Sequence, residues 1–411
     1  MKHLIILGDG MSDHPVEKLG GLTPLQFADT PNFDRLAREG RSGVLHTIPE
    51  GFSPGSEVAN TAILGYDLNQ VYEGRGPLEA ASIGYDMRPD DLALRCNILT
   101  LSDKNIENHH GGHLSSEEGR QLVEALQKEL DSDRVKFIPG IQYRHLLVVR
   151  GGNKHIECTP PHDHPGEPWR DLLVRPLEDP DPQPGRLTPR ETADLINDLI
   201  IKSRLVIAEH SVNKEHERQG RPAANSIWPW SPGYRPSMTT LEEMYPQVKS
   251  GAVITAVDLI RGIGIYAGLT PVDVEGATGM ADTNYEGKCQ AAIDAIKKSD
   301  FVFLHVEATD EAGHDGDLDL KLRAIEYLDS RVVGPVLKAV SEMEEPVAVA
   351  LLPDHATPVE LRVHKGEPVP FSIWHPGIRP DAVTEYSEES CAKGDFGTLR
   401  LMQFMHEFMN L

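Results

Sequence analysis

The segment KHLIILGDGMSD, residues 2–13, decides the fold class, because an apolar run passes directly into an acidic turn. Leu4 to Leu7 are all apolar, and glycine and aspartate follow at once. A short apolar run bounded by turn residues is typical of a strand buried on both faces of a parallel sheet. This run is too short for a signal-peptide core or a membrane-spanning helix. We therefore predict a buried strand over residues 2–8.

Strand and helix signals alternate in both terminal parts of the chain. Residues 30–40, TPNFDRLAREG, predict a helix that ends at glycine. In the C-terminal part, strands are predicted over residues 251–257, 271–276, 301–307 and 346–354, and helices over residues 258–269, 286–298 and 317–343. Because such alternation predicts parallel βαβ units, we expect one α/β core domain formed by residues 1–72 and 245–411.

The middle of the chain has a different pattern. Strands are predicted at 92–101 and 143–151, and proline-rich loops at 178–189 and 225–236. A chain of 411 residues is also long for one compact core. We therefore expect residues 73–244 to form an inserted, smaller α+β domain, and small-molecule sites often lie where two domains meet.

The charge of the chain limits its partners. The formal net charge is −24, from 64 acidic and 40 basic residues. Nucleic-acid grooves need clustered Lys and Arg, so we expect no nucleic-acid partner, and no segment suggests a membrane partner. A phosphorylated substrate would need local positive charge, which metal ions supply. The composition leaves the oligomeric state open.

The cysteines predict a cellular compartment. Their spacing fits neither a disulfide framework nor a cysteine zinc site, and a reducing cytoplasm is the expected location. They are Cys96, Cys158, Cys289 and Cys391.

Three carboxylates and three histidines are the candidate metal ligands, and they lie in separate segments at predicted strand ends or loops. They are Asp9, Asp310, His314, Asp354, His355 and His364. Asp310 and His314 are four apart and would share one face of a helical turn. Each residue alone also fits a turn aspartate or a surface histidine. Together they suit two ions of Zn²⁺, Mn²⁺, Mg²⁺ or Co²⁺.

Ser56 is the candidate nucleophile. It follows Pro54 and Gly55 and opens a stretch whose apolar spacing suits a helix. Backbone N–H groups at a helix N-terminus favour negative charge, and a bound metal would lower the pKa of the hydroxyl. The alternative is a plain N-cap serine.

These residues resemble the alkaline phosphatase superfamily in identity and chain order. Within it, the segments GSEVANTAILGYD, DEAGH, PDH and HKGEPVP are similar to those of the cofactor-independent phosphoglycerate mutases, especially the archaeal-type branch. The resemblance implies an alkaline phosphatase-like α/β core with a mostly parallel sheet. It also implies one metal surrounded by Asp9, Ser56, Asp354 and His355, a second held by Asp310, His314 and His364, and no 2,3-bisphosphoglycerate.

The implied reaction moves phosphate from 3-phosphoglycerate to Ser56 and back to the 2-hydroxyl. Arg95 and Arg144 would hold the carboxylate in an inserted substrate-binding domain. His113 would exchange protons, although His109 and His110 lie beside it and a solvated histidine loop is the alternative.

Three further residues are less clearly assigned by the resemblance. Asp163 would assist the histidine or shape a turn. Arg261 and Lys288 are candidates for the basic groups around the phosphate, at positions where the sequence does not match the bacterial-type pattern closely.

Two other enzyme activities would be served by the same metal ligands and remain alternatives. One is a homoserine kinase that takes phosphate from ATP, although no GxxxxGK[ST] loop is present. The other is a metal-dependent phosphomonoesterase. A non-enzymatic phosphate-binding module would leave the combination of Ser56 and six ligands unexplained.

Overall fold

A computed structural model describes all residues from 1 to 411. The strands are β1 Lys2–Gly8, β2 Arg41–His46, β3 Asp91–Leu101, β4 Ile106–Asn108, β5 Val135–Ile141, β6 Arg144–Arg150, β7 Ile156–Glu157, β8 Arg175–Pro176, β9 Ser226–Gly233, β10 Gly251–Ile254, β11 Thr270–Pro271, β12 Phe301–Val306, β13 Val347–Leu352, β14 Val369–Trp374 and β15 Gly397–Arg400.

The α-helices are α1 Pro24–Phe27, α2 Pro31–Glu39, α3 Ser56–Ile63, α4 Leu68–Val71, α5 Arg75–Ser82, α6 Ser116–Leu130, α7 Pro189–Ile207, α8 Ser211–Arg218, α9 Leu241–Met244, α10 Asp258–Tyr266, α11 Tyr285–Lys298, α12 Ala308–Asp315, α13 Leu318–Leu328, α14 Gly334–Ser341, α15 Glu388–Cys391 and α16 Gln403–Met409. Short 3₁₀ turns lie at Glu17–Leu19, Pro161–Asp163 and Trp169–Leu172.

The chain divides into two units. Unit 1 contains Met1–Tyr72 and Ser237–Leu411, and unit 2 contains Glu73–Pro236. The second boundary therefore lies at residue 236 rather than at the expected residue 244. The reason is that the segment with α9 belongs to unit 1: the Leu241 backbone N–H donates to Ala267 O over 2.9 Å, and the Tyr66 hydroxyl donates to Thr239 O over 2.6 Å.

Unit 1 is built on an eight-stranded sheet in the order β11-β10-β12-β1-β13-β14-β2-β15. Only β14 runs antiparallel to its neighbours, so the sheet is mostly parallel. In β1, Leu4 and Ile6 pack into one core with Phe33 of α2 and Leu328 of α13, and Ile5 on the other face is also fully buried. Burial on both faces explains why the first strand shows no polar alternation.

Two of the predicted elements of unit 1 differ from the structure. Of the predicted strand over 271–276 only Pro271 lies in a strand, because β11 is Thr270–Pro271 and pairs with only Ala252 and Val253 of the short strand β10. The predicted helix over 317–343 is interrupted by a π-helical turn at Asp329–Val333. Pro335 lies in the first turn of α14, and a proline there has no N–H to continue the α-helical ladder.

Unit 2 is an α+β unit. Its main sheet has the antiparallel order β4-β3-β6-β5, and β9 also pairs with β3. Apolar faces of α6 and α7 complete its core, with Leu122, Leu126 and Ile196 fully buried. In the whole chain, no helix has both the length and the apolar surface that crossing a bilayer requires.

Candidate metal centre

The centre lies at the carboxyl edge of the three middle strands of the unit 1 sheet. Strand β1 pairs in parallel with β12 on one side and with β13 on the other. Asp9 follows β1, the helix with Asp310 follows β12, and Asp354 follows β13. Because carboxyl ends of parallel strands meet at one edge, three distant segments come together there.

The first ligand group contains Asp9, Asp354 and His355, which are all buried and whose ligand atoms lie within 4.8 Å of one another. His355 Nε2 is 3.5 Å from Asp9 Oδ1 and 3.5 Å from Asp354 Oδ2. Asp354 is held rigidly: Oδ1 accepts the Gly10 N–H over 3.0 Å, and Oδ2 accepts from Asn60 Nδ2 over 2.9 Å. The group is therefore fixed by its surroundings.

Ser56 adjoins this group. Its Oγ is 3.4 Å from Asp9 Oδ1 and 3.1 Å from His355 Nε2. The N-cap of α3 is Gly55, and Ser56 is the first helical residue with no side-chain capping bond. The alternative interpretation as an N-cap serine is therefore wrong, because the hydroxyl is directed to the ligand group instead of to the helix backbone.

The second ligand group contains Asp310, His314 and His364. Asp310 and His314 share one face of α12, as their spacing predicted. The distances from His314 Nε2 to Asp310 Oδ2 and from His364 Nε2 to Asp310 Oδ1 are 3.3 and 3.4 Å. The two Nε2 atoms are 2.8 Å apart. This group is less buried than the first.

The two groups touch each other. The rings of His355 and His364 have centroids 4.0 Å apart. The Thr357 hydroxyl donates to Asp310 Oδ1 and lies 3.2 Å from His355 Nδ1. Gly10, with φ +60°, closes one side, because a Cβ there would clash with the Asp310 carboxylate and lie 2.6 Å from Thr357 Oγ1. The six side chains form one continuous centre.

The electrostatics of the centre follow from this crowding. Burial, together with the charges of Asp354 and Asp310, raises the pKa of Asp9 well above its usual value. Burial alone would also raise the pKa of Asp310, but hydrogen bonds from His314 and His364 hold this pKa well below its usual value. The bond to Asp310 raises the pKa of His314 to about 9. Packing these carboxylates together thus disfavours their charged forms, and the histidines beside Asp310 offset part of that cost.

The residues fit divalent metal ions. Each candidate histidine has Nδ1 within hydrogen-bond distance of another group: Arg362 O at 3.0 Å for His314, Pro54 O at 3.4 Å for His364, and the Thr357 hydroxyl for His355. Their Nε2 atoms are thereby directed into the centre, which is how metal-binding histidines are usually oriented. Carboxylate and imidazole ligands suit Mn²⁺, Zn²⁺, Mg²⁺ or Co²⁺.

Sequence reasoning did not identify several residues around the centre. Asn60 and Thr357 are small polar residues with no distinctive spacing. His305 has a usable sequence signal, because it is an ionisable residue in an apolar strand, and its Nε2 is 2.9 Å from Asp9 Oδ2. Glu307 and Glu311 form a further acidic group with Asp310.

The two basic candidates of unit 1 already have partners. Lys288 is fully buried, and its Nζ donates to His305 O over 3.2 Å. Burial lowers the pKa of this lysine to about 8. Arg261 lies on α10 and forms an ion pair with Asp273 over 2.6 Å.

The remaining candidates lie in unit 2. The Arg95 Nε is 2.8 Å from Glu79 Oε1, and its guanidinium lies 4.5 Å from the ring centre of Trp230. Arg144, His113 and Asp163 are exposed. The His113 ring stacks on His110 with centroids 3.9 Å apart, and its backbone has a positive φ of 59°. The candidates are therefore distributed over both units.

The fold and the centre define an α/β protein with a candidate metal centre at the carboxyl edge of a mostly parallel sheet. The family model of 2,3-bisphosphoglycerate-independent phosphoglycerate mutase matches residues 37–213. A mutase of that name from Methanosarcina acetivorans is 46% identical over 97% of both chains. The chain belongs to this family, which confirms the resemblance and the predicted fold class.

Two solved structures share the fold over the full length of the chain. A protein from Pyrococcus horikoshii is 31% identical with a TM-score of 0.83, covering 100% of this chain and 97% of its own. A cofactor-independent phosphoglycerate mutase from Thermoplasma acidophilum is 29% identical with a TM-score of 0.69, covering 100% of this chain and 99% of its own.

Proposed function

We propose that this enzyme interconverts 3-phosphoglycerate and 2-phosphoglycerate without 2,3-bisphosphoglycerate, by way of a phosphoserine on Ser56. The observation that carries the proposal is the position of the Ser56 hydroxyl, within 3.4 Å of Asp9 and 3.1 Å of His355, in a chain of the mutase family. A hydroxyl that only capped a helix would have no reason to be directed there.

The start of α3 provides a place for the transferred phosphate. The Val58 and Ala59 backbone N–H groups both donate to Gly55 O. The N–H groups of Ser56 and Glu57 precede this first turn, where helical backbone N–H groups have no intrahelical partner. Such groups favour a phosphate on the Ser56 side chain.

Two divalent ions are part of the proposal. Asp9, Asp354 and His355, with the Ser56 hydroxyl, would hold one ion, and Asp310, His314 and His364 would hold the other. When bound, the ions would neutralise phosphate charge and lower the pKa of the Ser56 hydroxyl. The protein fixes the orientation of Asp354 through Asn60 and the Gly10 N–H, and that of His355 through Thr357.

Unit 2 is proposed as the substrate-binding domain. In the forward reaction the phosphorus–oxygen bond to the 3-oxygen breaks as the bond to Ser56 Oγ forms, and the serine proton leaves with glycerate. In the second half the 2-oxygen takes the phosphate and the proton returns to Ser56. His113 is proposed to move these protons between the two hydroxyls, and Arg95 and Arg144 to bind the carboxylate.

The phosphate side of the substrate needs further partners. Arg261, on the surface of unit 1, would contact the phosphate after releasing Asp273. Lys288 is proposed to act from beneath the centre, because its Nζ is bound to the backbone of His305. Asp163 would support the histidine loop of unit 2.

The compartment is part of the proposal as well. All four cysteines are free thiols, and a reducing cytoplasm keeps thiols in that form. We expect the small phosphorylated substrates of the proposed reaction in the same compartment.

One experiment tests the proposed function. Metal-loaded protein is incubated with 3-phosphoglycerate and no 2,3-bisphosphoglycerate, and 2-phosphoglycerate is followed by an enolase-coupled assay. We expect turnover that disappears after chelation and dialysis and returns with Mn²⁺. A parallel sample contains homoserine and ATP, and a third measures free phosphate. Product only in the second sample would show that the enzyme is a homoserine kinase and not a mutase. Phosphate release alone would show that it is a phosphomonoesterase.

The serine step has its own test. Ser56→Ala should lower mutase turnover by at least about a thousandfold, as loss of a covalent nucleophile does. The matched control is Ser53→Ala, in the loop that precedes α3. Full turnover in Ser56→Ala would exclude the phosphoserine.

A further inference from the structure

His305 is a fully buried histidine in the middle of the sheet. It lies in β12, between β10 and β1. Both ring nitrogens have side-chain partners: Nε2 is 2.9 Å from Asp9 Oδ2, and Nδ1 is 3.2 Å from Thr255 Oγ1. A polar side chain in such a place costs free energy unless its hydrogen bonds are made, and here they connect it to the candidate metal centre.

The neighbours of His305 determine which nitrogen has the proton. A metal-binding carboxylate is ionised and can only accept hydrogen bonds, so Nε2 must be the donor to Asp9. Nδ1 then has to accept. The Thr255 hydroxyl, whose oxygen also accepts the Val257 backbone N–H over 3.0 Å, can donate its proton to Nδ1. Thr255 thereby holds the ring in the orientation that directs Nε2 to Asp9.

The contact gives the two oxygens of Asp9 different partners. Oδ2 is bound by His305, whereas Oδ1 is 3.4 Å from Ser56 Oγ and 3.5 Å from His355 Nε2. Without His305 the carboxylate could rotate about its Cβ–Cγ bond and direct Oδ1 away from the serine.

We infer that His305 is a positioning residue that fixes Asp9 so that Oδ1 binds the metal next to Ser56. This inference rests on the proposed function, because it takes Asp9 as a ligand of that metal. His305 itself does not touch substrate, since it is fully buried beneath Asp9. It acts through the carboxylate, as outer-shell partners of metal ligands do.

Two substitutions separate the roles of the two nitrogens. In His305→Gln the amide nitrogen takes the place of Nε2 and keeps a donor for Asp9. In His305→Asn the side chain is shorter, reaches only the place of Nδ1, and leaves Asp9 Oδ2 without its partner. A matched control is His3→Asn, a buried histidine of the same sheet that packs on Phe408, with ring centroids 5.0 Å apart.

The readouts are Mn²⁺ binding and turnover of the full-length protein. After chelation and dialysis, each variant is titrated with Mn²⁺ by calorimetry, and kcat and KM for 3-phosphoglycerate are measured separately. We expect His305→Asn to weaken Mn²⁺ binding about 10- to 100-fold and to lower kcat with little change in KM. His305→Gln should stay within about threefold of the wild type, and His3→Asn should match the wild type in both readouts.

Several results would overturn the inference. Wild-type Mn²⁺ affinity in His305→Asn would show that the histidine only fills the core, and equal losses in the Gln and Asn variants would show that the donor to Asp9 is irrelevant. If His305→Asn does not fold, Thr255→Val is used instead, and we expect this variant to bind Mn²⁺ more weakly than the wild type. Unchanged Mn²⁺ binding in Thr255→Val would also refute the inference. Absence of turnover in the wild type would refute the proposed function, whereas the Mn²⁺ titrations would still test His305.

Discussion

Replacing His145 by asparagine should make unit 2 less sensitive to mild acid. His145 is a buried residue of β6, and its Nδ1 accepts the Gly140 backbone N–H over 3.1 Å. A second proton on the ring would have to sit on this accepting nitrogen and face another N–H group. Burial accordingly lowers the pKa of His145 from 6.5 to about 3.

The size of the effect follows from the two protonation equilibria. The folded form stays neutral near pH 5.5, while the unfolded chain takes up a proton below its ordinary pKa of 6.5. This contribution to stability is therefore complete above pH 6.5 and is lost as the pH falls towards the folded pKa. Between pH 7.5 and 5.5 the loss is RT ln[(1 + 10)/(1 + 0.1)], about 1.4 kcal/mol.

The variant His145→Asn tests this value without removing the hydrogen bond. Asparagine Oδ1 can take the place of Nδ1 and accept from Gly140, but it does not titrate. The variant will be less stable at pH 7.5 because the smaller side chain leaves a cavity. Its deficit relative to the wild type should then shrink by about 1.4 kcal/mol at pH 5.5.

Urea unfolding followed by tryptophan fluorescence is a suitable assay, because Trp169, Trp228 and Trp230 lie in unit 2 and only Trp374 lies in unit 1. The control is Ile98→Val in the same sheet, which should cost about 1 kcal/mol equally at both pH values. If the deficit of His145→Asn is the same at pH 7.5 and 5.5, the folded histidine titrates normally and the argument from its burial is wrong.

Two other predictions concern the surroundings of the candidate metal centre. Lys321→Met should destabilise unit 1 by about 3 to 5 kcal/mol, because it leaves the buried Asp13 carboxylate, 2.8 Å from Nζ, without its counterion. Urea unfolding measures this loss. Adding Asp13→Asn should restore part of the stability, and no recovery in the double variant would contradict the explanation. Gly10→Ala should weaken Mn²⁺ binding and mutase turnover together, because its Cβ would press on Asp310. The matched control is Gly20→Ala, at a glycine with a similar φ of +70° but no atom within 4 Å of the added Cβ. This variant should keep both Mn²⁺ binding and turnover. Equal losses in the two variants would show that backbone strain, and not contact with Asp310, is the cause.

The sequence was sufficient to predict the first buried strand and the segments of the centre. The strand over residues 2–8 has the predicted bounds, because four buried apolar residues followed by an acidic turn leave few alternatives. Asp9, Asp310 and Asp354 could be associated because each follows a strand of a parallel sheet, and such strands end at one edge.

Other features depend on information that the sequence does not contain locally. His305 is a partner of Asp9 only because β12 is the neighbour of β1, and strand order cannot be read from one strand. The π-helical turn at Asp329–Val333 lies inside a continuous helical pattern, so periodicity alone does not reveal it. The burial of Lys288 depends on where α11 packs, which its charge would not suggest.

The separation of the ligand segments along the chain has a consequence for biosynthesis. Asp9 is synthesised before unit 2, whereas Asp354, His355 and His364 are synthesised after it. Strand β1 lies between β12 and β13, so an incomplete chain has neither the neighbouring strands nor the second half of the ligands. Unit 2, by contrast, is complete in sequence by residue 236. The candidate metal centre therefore cannot assemble before the segment with His364 has been synthesised, which is after all of unit 2.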